Sequence, residues 1–320
     1  MRALSGIQPS GEFHIGNYFG AMKQYVDLQN SDNEGYYFIA NYHALTTIRE
    51  PGELRRLTQD VAMNFLAFGI DPDRSVLFRQ SDVPQVTELT WLLSCVTPMG
   101  LLERCHAYKD KVSQGLPSDH GLFAYPVLMA ADILIHDADL VPVGQDQKQH
   151  VEVTRDIAMK FNEAFGETLK LPEPYILPQV AVVPGIDGRK MSKSYGNAIG
   201  VFDTDASIKK RIMGIVTDST PVEDPKNPDT DNVFALYRLV ATPEQTAEMA
   251  QRYRCGGLGY GTAKKELVPL VLEYFAEARR RKQELLADPA YVEDVLQAGG
   301  AKARATACEV LDRCRTAAGY

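Results

Sequence analysis

Arg2-Ala3-Leu4-Ser5-Gly6-Ile7-Gln8-Pro9-Ser10-Gly11 runs almost directly into Phe13-His14-Ile15-Gly16-Asn17, and this opening decides the fold. Residues 2–5 read as a short buried strand, residues 6–11 as a tight polar turn, and residues 16–28 as an amphipathic helix. A strand that passes through such a turn into a helix start brings backbone N–H groups to the carboxyl end of a sheet, which suits phosphate. The alternation continues outward. Further strands are expected at 36–40, 75–79, 140–143 and 179–183, and helices at 52–68, 85–96, 122–135 and 148–165. The pattern predicts a doubly wound, Rossmann-like α/β domain with a parallel sheet over residues 1–200. Ligands of such sheets sit at strand carboxyl ends, so segments 6–17, 41–47 and 142–147 are expected to carry chemistry.

Beyond residue 200 the strand signals stop. Helical periodicity takes over at 206–215, 233–240, 243–253, 262–287 and 290–318, which predicts a helical domain over 201–320 whose last helices can pack back on the first domain. The Asp- and Pro-rich run 222–228 reads as a loop. Arg279-Arg280-Arg281-Lys282 reads as a solvated helix face, and Met22, Met63, Met99, Met159, Met213 and Met249 as core.

The 320 residues are 45% hydrophobic and 24% charged, which excludes a disordered chain and is enough for two domains. A net charge of −8 argues against a protein that coats nucleic acid non-specifically. Most of the acidic excess lies before residue 200, so a surface for a polyanion fits the second part better. No stretch approaches the ~18 apolar residues of a membrane span, and Met1-Arg2-Ala3-Leu4-Ser5-Gly6 lacks a leader pattern, so a soluble cytoplasmic protein with no membrane partner is expected. Cys95, Cys105, Cys255, Cys308 and Cys314 are scattered, with no C-x-x-C pair. Reduced thiols are expected, without a disulfide framework, a tightly bound metal or an iron–sulfur cluster.

Three motifs carry chemistry. At the first helix start, Gly16 would let a flat ring or a ribose lie on the backbone, while His14 and Asn17 could donate to phosphoryl oxygens. Far downstream, Gly188-Arg189-Lys190-Met191-Ser192-Lys193-Ser194 sets two lysines three residues apart in a polar loop. Two mobile ammonium groups can follow charge as it builds on a departing pyrophosphate, which stabilises a transition state more than a ground state. Between them, Tyr125-Pro126-Val127-Leu128-Met129-Ala130-Ala131-Asp132-Ile133-Leu134 is an apolar helix interrupted by one carboxylate, followed by Val141-Pro142-Val143-Gly144-Gln145-Asp146-Gln147-Lys148-Gln149-His150.

His14-Ile15-Gly16-Asn17 and Lys190-Met191-Ser192-Lys193-Ser194 resemble the two signatures of class I aminoacyl-tRNA synthetases. The Tyr125 and Val141 segments, with Ser5-Gly6-Ile7-Gln8-Pro9-Ser10-Gly11, Lys109-Asp110-Lys111, Thr217-Asp218-Ser219 and Gly299-Gly300-Ala301-Lys302-Ala303-Arg304, resemble the bacterial tryptophanyl branch over essentially the whole chain. The residues agree with that choice. Tyr125, Met129 and Asp132 share one helical face, where a carboxylate can accept an indole N–H while the Met129 sulfur packs on the ring. Lys and Arg are absent from residues 112–147, so Asp132 has no cation close by in sequence, and a phenyl ring would leave it buried and unpaired.

The resemblance implies activation of L-tryptophan by Mg2+-ATP to tryptophanyl-adenylate, then transfer to the 3′-terminal adenosine of tRNA(Trp) by a homodimer. Catalysis would fall to His14, Asn17, Lys111, Lys190 and Lys193. ATP would be bound by Gln8, Gly16, Asn17, Gly144, Asp146, Lys190, Met191, Ser192 and Lys193, with Asp146 on the ribose. Tryptophan would be held by Leu4, Gly6, His43, Tyr125, Met129, Asp132, Val141, Val143 and Gln147, with Tyr125 and Gln147 on its α-amino group. Leu4, Gln145 and the run Ser194-Tyr195-Gly196-Asn197 depart from the common bacterial pattern. In Gly259-Tyr260-Gly261-Thr262-Ala263-Lys264-Lys265, Tyr260 could stack an unpaired base and Lys264 could meet phosphate of the tRNA; the same run also reads as an ordinary helix-start turn. Two other classes stay open: a nucleotidyltransferase on this fold that needs no RNA, and a silent paralogue that binds tryptophan or a protein partner. The helical second domain weighs against the first, and intact His14, Gly16, Lys190 and Lys193 against the second.

Overall fold

The computed structural model describes residues 1–31, 33–105, 119–144, 148–176 and 182–320. Among them, β1 (Arg2–Ile7), β2 (Glu34–Ile39), β3 (Ser75–Arg79), β4 (Leu140–Val143) and β5 (Glu173–Ile176) form one parallel sheet in the order β3-β2-β1-β4-β5. The chain adds β2 and β3 on one side of β1, then β4 and β5 on the other. That makes the β1/β4 junction the topological switch point. β2 and β3 are buried without alternation: Tyr36, Tyr37, Phe38 and Ile39 are all buried, as are Ser75 to Phe78. A parallel sheet covered on both faces needs such runs.

The helices that follow are α1 (Ile15–Asn17), α2 (Lys23–Gln29), α3 (Asn41–Ala44), α4 (Pro51–Ala67), α5 (Gln85–Ser94), α6 (Met99–Glu103), α7 (His120–Leu134) and α8 (Lys148–Phe165). Then come α9 (Asp205–Met213), α10 (Asn232–Val240), α11 (Pro243–Cys255), α12 (Tyr260–Tyr274), α13 (Ala276–Ala287) and α14 (Pro289–Ala318). None of the described helices is long and apolar enough to cross a membrane.

The chain forms two compact units. One contains Met1–Gly11, Gln24–Pro178 and Leu285–Tyr320; the other contains Glu12–Lys23 and Gln179–Glu284. Packing thus divides the chain differently from a single cut at residue 200: the His14 segment goes with the second unit, and α14 with the first.

In the first unit α14 lies on the backbone of β3. A Cβ at Gly299 would stand 1.9 Å from Leu77 O, and one at Gly300 would stand 2.9 Å from Asp82 Cβ. Only glycines permit this approach. Around that contact α14 buries Leu296, Ala303, Ala307, Val310, Leu311 and Cys314, and Arg79 reaches Glu293 with two hydrogen bonds of 2.8 and 2.9 Å. In the second unit Ile15 N–H donates to Ile199 O and Val201 N–H to Phe13 O, which stitches the His14 segment to the stretch after the lysine loop.

Several local readings are corrected. The fifth strand among the described residues is Glu173–Ile176, which the sequence did not single out; of the expected 179–183, residues 179–181 lie outside the described residues, and Val182 and Val183 are not in a strand. The first helix is interrupted by a π-helical turn over Tyr18–Met22. The expected helix over 262–287 breaks at Phe275, which is buried with its ring edge-on to Tyr18 at 5.0 Å, so packing overrides local propensity there. Met99 and Met159 are exposed, not core. The 279–282 run is only partly solvated: Arg279 donates to Val201 O and Asp203 O, and Lys282 is buried over the Phe202 ring.

Candidate active site

In the first unit α7 presents Tyr125, Met129 and Asp132 at the expected spacing. Asp132 is 2% exposed. Its Oδ2 accepts from His43 Nε2 at 2.8 Å, and both of its oxygens lie 2.8 Å from Gln80 Nε2. Burial pushes the Asp132 carboxyl up from its usual range, while the donors from His43 and Gln80 pull it down. A carboxylate has about four lone-pair sites. Among the described residues Oδ2 accepts two hydrogen bonds and Oδ1 one, which leaves an acceptor direction on Oδ1.

His43 sits on α3, at the end of β2, with its ring edge-on to Tyr125 at 6.1 Å. The Tyr125 hydroxyl pairs with His150 Nε2 at 3.2 Å, and burial pushes its pKa up to about 12. Gln8 reaches His43 O through Nε2 at 3.4 Å. Leu4 and Val141 are buried in the cluster against which Met129 and Val143 pack. At Gly6 a Cβ would meet the Phe38 ring at 2.4 Å, so the glycine is required by its neighbour strand. Gly144 follows β4 and is half-buried, whereas Lys111, Asp146 and Gln147 lie outside the described residues.

In the second unit His14 caps α1 reciprocally. Its Nδ1 accepts Asn17 N–H at 3.2 Å, and Asn17 Oδ1 accepts His14 N–H at 3.0 Å. An Nδ1 that accepts leaves the ring proton of neutral imidazole on Nε2, which is therefore the donor available to an anion. Burial lowers the His14 pKa to about 4, so the ring is neutral at pH 7. The Gly16 N–H donates to Met191 Sδ at 3.4 Å, and a Cβ on Gly16 would stand 3.0 Å from His14 Nδ1 and 3.2 Å from Met191 Cβ. Gly16 thus sits in a tight contact between the two motifs, where a Cβ would require His14 or Met191 to give by a few tenths of an ångström.

The lysine loop is braced from inside by Asn197, which is 2% exposed. Its Oδ1 accepts Ser192 N–H at 2.8 Å, and its Nδ2 donates to Asp187 Oδ1 and Lys190 O at 2.7 and 3.1 Å. Gly196, at φ +64, closes the turn Lys193–Tyr195, and Arg211 Nη1 donates to its carbonyl at 2.6 Å. Lys190 and Lys193 are exposed. A cavity of about 190 Å3 is lined by His14, Lys193, Arg211, Glu12 and Asp203 among others.

The segment expected to face an anticodon has internal partners. The Tyr260 hydroxyl donates to Asp218 Oδ1 at 2.6 Å, and Lys226 Nζ lies 5.3 Å from the Tyr260 ring centroid. Lys264 Nζ donates to Met213 O and Ile215 O at 3.3 and 2.6 Å, which places its charge at the carboxyl end of α9.

The sequence reading missed Gln80, Asn197, Arg211 and the sulfur contact of Met191. One signal did exist for Gln80, since Arg79-Gln80-Ser81-Asp82 is a polar run at the carboxyl end of a strand.

These features define a class: an α/β protein with a parallel, doubly wound sheet, a histidine-capped helix start packed against a two-lysine loop, and a buried carboxyl held by His43 and Gln80. The family described as tRNA synthetases class I (W and Y) matches residues 1–276. Tryptophan–tRNA ligase of Fusobacterium nucleatum is 55% identical over 319 residues, covering 99% of this chain and 98% of its own, and that of Rhodopirellula baltica is 56% identical over 315 residues, 98% of each. The crystal structure of Campylobacter jejuni tryptophanyl-tRNA synthetase complexed with ADP and tryptophan superposes with a TM-score of 0.94 at 51% identity, covering 100% of both chains. The chain belongs to the tryptophanyl branch of the class I tRNA synthetases.

Proposed function

We infer that the protein activates L-tryptophan with ATP and transfers it to the 3′-terminal adenosine of tRNA(Trp), releasing pyrophosphate and then AMP. The observation that carries the reading is Asp132: a buried carboxylate held by two donors with an acceptor direction left over, on a helix face that also bears Tyr125 and Met129. The full-length similarity to tryptophan–tRNA ligases points the same way.

The tryptophan carboxylate attacks the α-phosphate of Mg2+-ATP in line, with no protein nucleophile. Catalysis is positioning and charge stabilisation. Neutral His14 offers Nε2–H to a phosphoryl oxygen, Asn17 completes the helix-start cap, and Lys190 and Lys193 meet the negative charge that develops as pyrophosphate leaves. By family likeness Lys111 joins this clamp, Asp146 binds the ribose with Gly144 beside it, and Gln147 shares the α-amino group with Tyr125. Leu4, in place of an aromatic wall, makes an aliphatic floor for the indole.

Residues 1–200 then carry activation and the helical part, 201–320, the anticodon, its last helix α14 packing back on the first unit, in a cytoplasmic homodimer that one tRNA crosses. The test is exchange of pyrophosphate into ATP driven by tryptophan and compared with tyrosine, followed by charging of tRNA(Trp). Exchange that prefers tyrosine defeats the reading; exchange without charging favours the RNA-free nucleotidyltransferase.

A further inference from the structure

Gln80 is the first residue after β3, in the turn Gln80–Asp82, and is 1% exposed. Its amide is determined at both ends. Oε1 accepts the Tyr42 N–H at 2.9 Å, so the group facing Asp132 is NH2, with 2.8 Å to each carboxylate oxygen. The flipped amide would set an oxygen against a carboxylate and NH2 against N–H, two repulsive contacts in a buried place. Tyr42 and His43 are consecutive on α3, which therefore orients Gln80 through one residue and donates to Asp132 through the next. The turn is itself held in place. Arg79 pairs with Asp82 and with Glu293 of α14, Arg304 donates to Asp82 O at 2.8 Å, and Asn41 exchanges two hydrogen bonds with Ser81.

We infer that Gln80 is a positioning residue for amino-acid choice: its NH2, bonded to both oxygens, holds the Asp132 carboxyl in one rotational setting, so that an Oδ1 lone pair is left for an indole N–H. The inference rests on the reading of Asp132 as indole acceptor. A buried carboxyl deprived of this donor takes up a proton more readily, and a protonated carboxyl, uncharged and with one oxygen turned into an O–H donor, is a weaker acceptor for N–H. Among the described residues the groups hydrogen-bonded to Asp132 are His43 from α3 and Gln80 from the β3 turn, with Tyr125 of α7 edge-on to His43.

The experiment compares tryptophan with its benzothiophene analogue, in which sulfur replaces the N–H, in ATP–pyrophosphate exchange by wild type, Asp132→Asn and Gln80→Met. Wild type is expected to prefer tryptophan by about tenfold or more, the size of a hydrogen bond to a charged group, and Asp132→Asn to lose that preference. Gln80→Met, close in volume but without the amide, is expected to raise the tryptophan KM about tenfold with kcat nearly kept, and to leave the analogue almost unaffected. Equal losses on both substrates, or an intact preference, overturn the role of Gln80. A wild type without preference, or an Asp132→Asn that retains it, overturns the Asp132 reading itself and the inference with it. Gln80→Glu guards against misfolding, because it keeps the acceptor for Tyr42 N–H. Its introduced carboxyl can share a proton with Asp132, so its preference for tryptophan should return as pH falls from 8 to 6; no return counts against the inference.

Discussion

Asparagine at position 132 exchanges one oxygen for NH2 at nearly constant shape, so its effects can be worked out atom by atom. Oδ2 takes hydrogen bonds from His43 and Gln80, and Oδ1 takes one from Gln80. In Asp132→Asn the amide oxygen can occupy the Oδ2 place and keep both donors. The new NH2 then lies on the Oδ1 side, against the Gln80 NH2 and across the direction left for the indole. Tryptophan loses a hydrogen bond to a charged acceptor, worth about 1.5–3 kcal/mol, or about 10- to 150-fold in kcat/KM. Phenylalanine has no N–H to lose, so its slow turnover should change far less and the tryptophan-to-phenylalanine ratio should contract by about the same factor. The buried contact between two donors also costs about 1–3 kcal/mol of folding stability, which a thermal melt detects. The assay is pyrophosphate exchange with each amino acid well below the melting temperature. If both substrates decline by the same factor, Asp132 supports the pocket without reading the indole, and the reasoning fails.

Four further outcomes are expected. Lys193→Ala should slow adenylate formation in single turnover while leaving the tryptophan Kd nearly unchanged; a raised KM with kcat preserved would show that the loop only binds. Gly299→Ala places a Cβ 1.9 Å from Leu77 O, so α14 must move by ~1 Å and stability should fall by about 1–3 kcal/mol or more in urea unfolding, with no change meaning that α14 does not rest on β3. His136 is buried between Tyr36 and Phe78, its Nδ1 has no hydrogen-bond partner among the described residues, and burial lowers its pKa to about 3. Because the unfolded chain binds that proton near pH 6.5 and the folded one does not, stability is lost as pH falls below 6.5. His136→Phe should therefore lose about 2 kcal/mol less than wild type between pH 7 and 5, and identical losses would contradict the assignment. Tyr260→Ala should lower the melting temperature and impair exchange and tRNA charging alike, since the hydroxyl is engaged by Asp218; a loss confined to charging would instead support base stacking.

What could be read from residues alone was local. β1, β2, β3 and β4 were legible because a strand buried on both faces is a continuous apolar run, and the two signature loops because glycine, histidine and lysine at fixed short spacings carry their chemistry with them. The shared face of Tyr125, Met129 and Asp132 followed from helical geometry over seven residues. The partners of Asp132 did not follow. Gln80 is 52 positions away and His43 is 89, and they meet Asp132 only because the sheet order sets the ends of β2 and β3 beside α7. The return of α14 to β3, the break at Phe275 and the internal use of Lys264 have the same origin. Each is settled by which distant surfaces bury one another, a property of the sum of many weak contacts, whereas local periodicity reports only that a surface needs to be buried.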